Sequence, residues 1–177
     1  PNITVTLGSV ENIYGGNNIA GLTSISQINL NGGEVGNVYG GGNKTSLTES
    51  FIKLNGTTAT NVYGGSNETG DVETSNITVE KGIIGTIYGG NNIGGVTNTS
   101  NVDLNGGEAT NVFGGGNEAG ITTANVNLYS GNIENIFGGS NNSGNVSNSN
   151  IKTFENFKKL NEEVDLRGII DVVRNGI

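Results

Sequence analysis

Six times the chain repeats one phrase: Asn (once Thr), then Val or Ile, an aromatic ring, Gly-Gly, a variable residue, and Asn. The rings are Tyr14, Tyr39, Tyr63, Tyr88, Phe113 and Phe137, separated by 25, 24, 25, 25 and 24 residues. A period of that size, kept to within one residue, describes a stack of equivalent coils in which each coil covers its two neighbours. A core closed on itself has no reason to keep such a period.

Counting from the ring, the apolar columns can be read directly. Eleven residues before it stand Ile3, Ile28, Ile52, Ile77, Val102 and Val126, and nine before it Val5, Leu30, Leu54, Val79, Leu104 and Leu128. That is period-two alternation, the mark of a short strand with one buried face. Small residues continue the face two positions earlier (Ser26, Ser50, Ser75, Ser100, Ala124). A second short strand carries Val10, Val35, Ala59, Ile84, Ala109 and Ile133, followed by the aliphatic residue just before each ring.

Glycine recurs in three places per coil: six residues before the ring (Thr57 replaces it once), as the pair after the ring, and seven residues after it (Ser46 replaces it once). Glycine at fixed points marks corners where the backbone needs positive φ or close approach. Three such corners predict coils of three or four short strands. Coil-to-coil pairing is then parallel, and the handedness of parallel crossovers predicts a right-handed parallel β-helix of 24–25-residue coils over residues 1–150. At ~4.8 Å per coil, six coils make a rod roughly 29 Å long.

Composition taken alone points elsewhere. Gly supplies 32 residues and Asn 31, with only 32% of the chain hydrophobic, a profile close to that of disordered chains. The fixed apolar columns overrule it. Cys and His are absent, so neither a disulfide framework nor a zinc cluster of the usual kind is expected. No apolar run reaches membrane-spanning length. The net charge of −8 lies on the repeats, where residues 1–150 hold three Lys, no Arg and eleven acids. Such a surface repels phosphate backbones and argues against nucleic acid as a partner. The chain opens on Pro1, without Met or a leader-like segment, as a piece of something longer would.

After Asn150 the repeat stops. A seventh coil begins at Ile151, but no ring or Gly-Gly occurs near Glu162, where its anchor would fall. Thr153 instead suits the cap of a helix with Phe154, Phe157, Leu160 and Val164 on its apolar side. Residues 151–177 are therefore expected to form a partly helical segment that covers the last coil.

The candidate site residues are two columns. Asn18, Asn43, Asn67, Asn92, Asn117 and Asn141 stand four residues after each ring without exception, and stacked amides can hydrogen-bond along the axis as a ladder. The rings Tyr14, Tyr39, Tyr63, Tyr88, Phe113 and Phe137 are expected to stack in the core. The Gly-Gly-x-Asn phrase differs from the calcium-binding nonapeptide of β-rolls, because the Asp of that motif is replaced by Ala20, Thr45, Thr69, Gly94, Ala119 and Ser143. Without a carboxylate the ion loses its charged ligand, so no metal or cofactor is expected.

Catalysis on such a scaffold needs acids paired with bases. Glu49 and Glu73 fall ten residues after successive rings and are the one candidate carboxylate pair. No Lys or Arg column accompanies them, and an enzyme is not expected. Thr23, Thr48, Thr97 and Thr122 form an incomplete Thr rank of the kind an ice-binding solenoid uses, broken by Glu73 and Ser147. Threonine also simply suits exposed strands.

In its coil architecture and Gly/Asn pattern, the segment 1–150 resembles right-handed parallel β-helix repeats of bacterial surface and secreted, adhesin-like proteins. The resemblance implies an extracellular or cell-surface location and a structural or adhesive role. Its implied partners are a host or cell-surface glycan or protein, and open coil ends imply head-to-tail self-association. A glycan-binding or glycan-cleaving β-helix is the alternative.

Overall fold

The computed structural model describes residues 1–154. It is a parallel β-solenoid of about six coils, without helix among the described residues. Thr153, expected to cap a helix, closes the last strand, and the remainder of the expected helix lies outside the described residues.

Each coil contributes two strand segments. The first face consists of β1 (Asn2–Val5), β3 (Thr23–Leu30), the first halves of β5 (Leu47–Tyr63) and β6 (Val72–Tyr88), β7 (Val96–Leu104), β9 (Gly120–Leu128) and β11 (Val146–Thr153). The second consists of β2 (Ser9–Tyr14), β4 (Glu34–Tyr39), the second halves of β5 and β6, β8 (Glu108–Phe113) and β10 (Asn132–Phe137). Every pairing is parallel and joins equivalent positions of adjacent coils, as in Ile3↔Ile28, Ile28↔Ile52 and Ile52↔Ile77.

Two strands per coil is fewer than the three or four that the glycine columns suggest. The third side, from the ring to the next strand, is irregular, yet its backbone still bonds from coil to coil. Asn43 N–H donates to the Asn17 carbonyl at 3.0 Å and Glu68 N–H to the Asn43 carbonyl at 2.8 Å. The Gly-Gly segment therefore satisfies its amides without strand geometry.

The corner between the two strands needs positive φ. Where Thr57 replaces its glycine, the preceding Gly56 takes over at φ 118°, and the pairing with β6 shifts register between Leu54 and Thr57. Thr57 turns inward, is fully buried, and donates to the Gly32 carbonyl at 2.9 Å.

The apolar columns meet inside. Ile28, Leu30, Val38, Ile52, Leu54, Val62 and their successors through Val126 form one continuous aliphatic cluster, with Ile3, Val5, Val10, Leu128, Ile133 and Ile136 half-buried at its two ends. A coil's apolar side chains are covered only by the coils above and below, so the end coils are the thinly covered ones. β11 extends through Thr153, and Phe154 N–H donates to the Leu128 carbonyl at 2.8 Å, so strand pairing continues past Asn150.

Candidate functional site

The amide column forms the expected ladder through all six coils. Asn43 Nδ2 donates to Asn18 Oδ1 at 3.2 Å, Asn67 to Asn43 at 2.8 Å, and Asn92 to Asn67 at 2.8 Å. Asn117 continues it to Asn92 at 3.0 Å, and Asn141 to Asn117 at 2.9 Å. Each inner amide donates to one neighbour and accepts from the other, a use that neither Asp nor an apolar residue could copy.

The six rings stack with centroids 4.6–5.3 Å apart and planes within 11° of parallel. Tyr39, Tyr63, Tyr88 and Phe113 are buried, but in a cluster of their own, separate from the aliphatic core. Strand alternation explains this: the aliphatic residue before each ring faces the core, so the ring faces the other way. The inner four rings thus stack in the interior as expected, but in a second, aromatic core apart from the aliphatic one. Burial raises the phenol pKa values of Tyr39, Tyr63 and Tyr88 above the usual range, with neighbouring phenols adding to it at Tyr39 and Tyr63. At the C-terminal end of the column, Phe137 is exposed.

The Gly-Gly pair is explained by space and not by backbone conformation, since none of these glycines has positive φ. A Cβ on Gly64 would lie 2.8 Å from Ser75 Cβ, and one on Gly65 would lie 2.9 Å from the Cγ of Asn91. Each serine fits against the first glycine of one coil's pair and donates to the carbonyl of the corresponding glycine in the next coil. Ser50 Oγ donates to Gly64 O and Ser100 Oγ to Gly114 O at 2.6 Å each, and Ser26 and Ser75 bond Gly40 O and Gly89 O in the same way. In sequence these serines read only as small residues; the signal that could have shown more is their recurrence opposite an invariant glycine.

Two further amide ladders escaped the sequence reading. One runs through the Asn two residues before the ring: Asn37 to Asn12 and Asn61 to Asn37, both at 2.9 Å, and Asn135 to Asn111 at 3.1 Å, interrupted at Thr86. The other lies on the outer side of the first face, with Asn101 bonded to Asn76, Asn125 to Asn101 and Asn150 to Asn125, each at 3.0 Å. No buried side-chain nitrogen or oxygen among the described residues lacks a partner.

The remaining candidates are not brought together. Glu49 pairs with Thr74, which leaves Glu73 one register away, and the Asn76 amide donates to the Glu49 carboxylate at 3.3 Å. The Thr rank divides. Thr23 and Thr97 occupy the inward column of Leu47, Val72 and Ile121 and are buried, whereas Thr48 and Thr122 point outward and are exposed. The cause is the single residue by which coil lengths differ. It is absorbed ahead of these strands, so counting forward from one ring loses the register that counting back from the next one keeps. Among the described residues no group of three or more His, Cys, Asp or Glu is placed to hold a metal ion.

Between adjacent coils, Lys44 pairs with Glu68 at 3.0 Å and Lys53 with Glu80 at 3.6 Å. The hydrogen bond from Lys44 holds the Glu68 carboxyl below the usual carboxylate range. Both pairs are solvent-exposed, and pairs of that kind contribute little to stability. The outer side of the first face carries one groove worth noting, about 270 Å³ around the half-exposed ring of Phe51. Comparison with family models, with curated proteins and with solved structures gives no match.

Proposed function

We propose that this chain is an extracellular structural or adhesive solenoid, a rigid segment of a bacterial surface protein that holds binding faces away from the cell. The observation that carries this reading is the Asn18-to-Asn141 ladder, unbroken across all six coils beside a continuous ring stack. Both columns resist axial sliding and bending, since every coil must keep register for either to survive. The Gly/Asn repeat resemblance to surface β-helices points the same way, as does an acidic surface unsuited to nucleic acid.

Antibodies raised against the purified solenoid test the location. They should label intact cells of the source organism as strongly as lysed ones, and brief surface proteolysis should remove the label. Labelling only after lysis would rule the reading out. Beads coated with the chain test adhesion: they should be retained on a glycan- or protein-bearing surface in preference to uncoated beads.

A further inference from the structure

We propose that Phe51 is the centre of a carbohydrate-binding subsite that takes a neutral pyranose of a glycan chain. This rests on the adhesive reading and names the partner for one face of the rod.

Phe51 is the exception in its column. The equivalent positions of adjacent coils are Asn2, Gln27, Asn76, Asn101, Asn125 and Asn150, all amides. From Asn76 onward those amides are joined in a ladder, which stops at Phe51. The replacement has no structural return in view. The ring is 39% exposed, and among the described residues no other ring stacks on it. A residue that breaks a local pattern without a compensating contact is where function is sought.

The surroundings suit a sugar. The groove is lined by Gln27, Asn29, Phe51, Lys53, Asn76 and Thr78, with buried Ile52 as its floor. Register arranges the outward six as a grid: Gln27, Phe51 and Asn76 in one row, Asn29, Lys53 and Thr78 in the next. Neighbours within a row are ~4.8 Å apart and the rows are about 6.6 Å apart, which matches the span of one hexose with its hydroxyls. An aromatic face accepts the axial C–H face of a pyranose, while on one side the Gln27 amide offers donor and acceptor to its equatorial hydroxyls. On the other side Asn76, whose NH2 is held by the Glu49 carboxylate and the Ser50 carbonyl, keeps one acceptor site on Oδ1. The Lys53 ammonium lies 3.6 Å from the Glu80 carboxylate, so the grid presents no free positive charge, and the acidic surface disfavours an acidic sugar.

The test is saturation-transfer NMR on the purified chain with cellotriose, chitotriose and, as an acidic contrast, trigalacturonate. At least one neutral trisaccharide should receive saturation at its axial protons. Phe51→Asn, which matches the residue used elsewhere in the column, should weaken that binding at least tenfold with an unchanged or higher melting temperature, and Phe51→Tyr should retain it. No transfer to either neutral trisaccharide, transfer to trigalacturonate in their place, or equal binding by Phe51→Asn would overturn the subsite. Surface labelling of cells is independent of these outcomes, so failure here leaves the location standing, and failure there leaves the sugar chemistry standing.

Discussion

At the bend between the two strands of a coil, Gly8, Gly33, Gly82, Gly107 and Gly131 have positive φ, whereas none of the paired glycines after the rings does. The first corner needs glycine for backbone conformation, with crowding added where a preceding coil lies against it: a Cβ on Gly33 would lie 2.6 Å from Gly8 O, and one on Gly82 closer still to Thr57 O. The second needs it for space alone. The exceptions follow from this difference. The conformational corner tolerates Thr57 because Gly56 assumes the bend, but the crowded corner keeps Gly-Gly in every coil. A bend can be moved by one residue, while a steric gap between stacked coils cannot.

Substitution tests this contrast most strongly at the crowded corner. Gly64→Val drives a branched side chain into the Gly89 carbonyl and Ser75, and is expected to destabilise by about 3 kcal/mol or more. Gly65→Val should also cost more than about 1 kcal/mol, through collision with Asn91. Thermal melts equal to the parent's for both would remove the steric account.

The ladder on the same side comes next. Asn67→Ala leaves the Asn43 acceptor and the Asn92 donor unpaired at partly buried positions, for an expected loss of about 2 kcal/mol by chemical denaturation. Asn18→Ala, at the ladder's exposed end, should lose clearly less; equal losses would mean that stacking order does not matter.

At the conformational corner, Gly8→Ala isolates backbone strain, since a Cβ there meets nothing within 4 Å while φ is +91°. The expected loss is about 1 kcal/mol. A loss as large as that of Gly64→Val would erase the distinction between the corners.

The aromatic spine adds a dependence on alkaline pH. Tyr39, Tyr63 and Tyr88 have raised phenol pKa values in the fold, so the fold prefers their neutral forms. Their contribution is fully present below the unfolded value of about 10, and is lost as pH rises from there through the higher folded values. Tyr63→Phe should therefore flatten the decline of melting temperature above about pH 10. Parallel parent and variant curves across that range would refute the coupling. The smallest effect expected is none: excess chelator and millimolar calcium should give the same melting midpoint, and a calcium-dependent rise would revive an ion site at Gly-Gly-x-Asn.

Much of this architecture is legible from spacing alone. Coil length, parallel stacking, the four aliphatic columns and the Asn18-to-Asn141 ladder follow from the period, because stacking places equivalent residues next to one another and so turns a sequence repeat directly into contacts. What the ring spacing cannot report is direction within the coil. The folded chain shows that the rings form a spine apart from the aliphatic core and that Thr23 and Thr48 face opposite ways. Those facts depend on which way each strand faces and where the extra residue is absorbed, and they show in the sequence only when the columns are counted back from the following ring. Only the folded chain places Ser75 against Gly64. Phe51 shows the same division. Its oddness could be seen by aligning the coils, but the grid of amides and hydroxyl around it exists only once three coils are stacked in register.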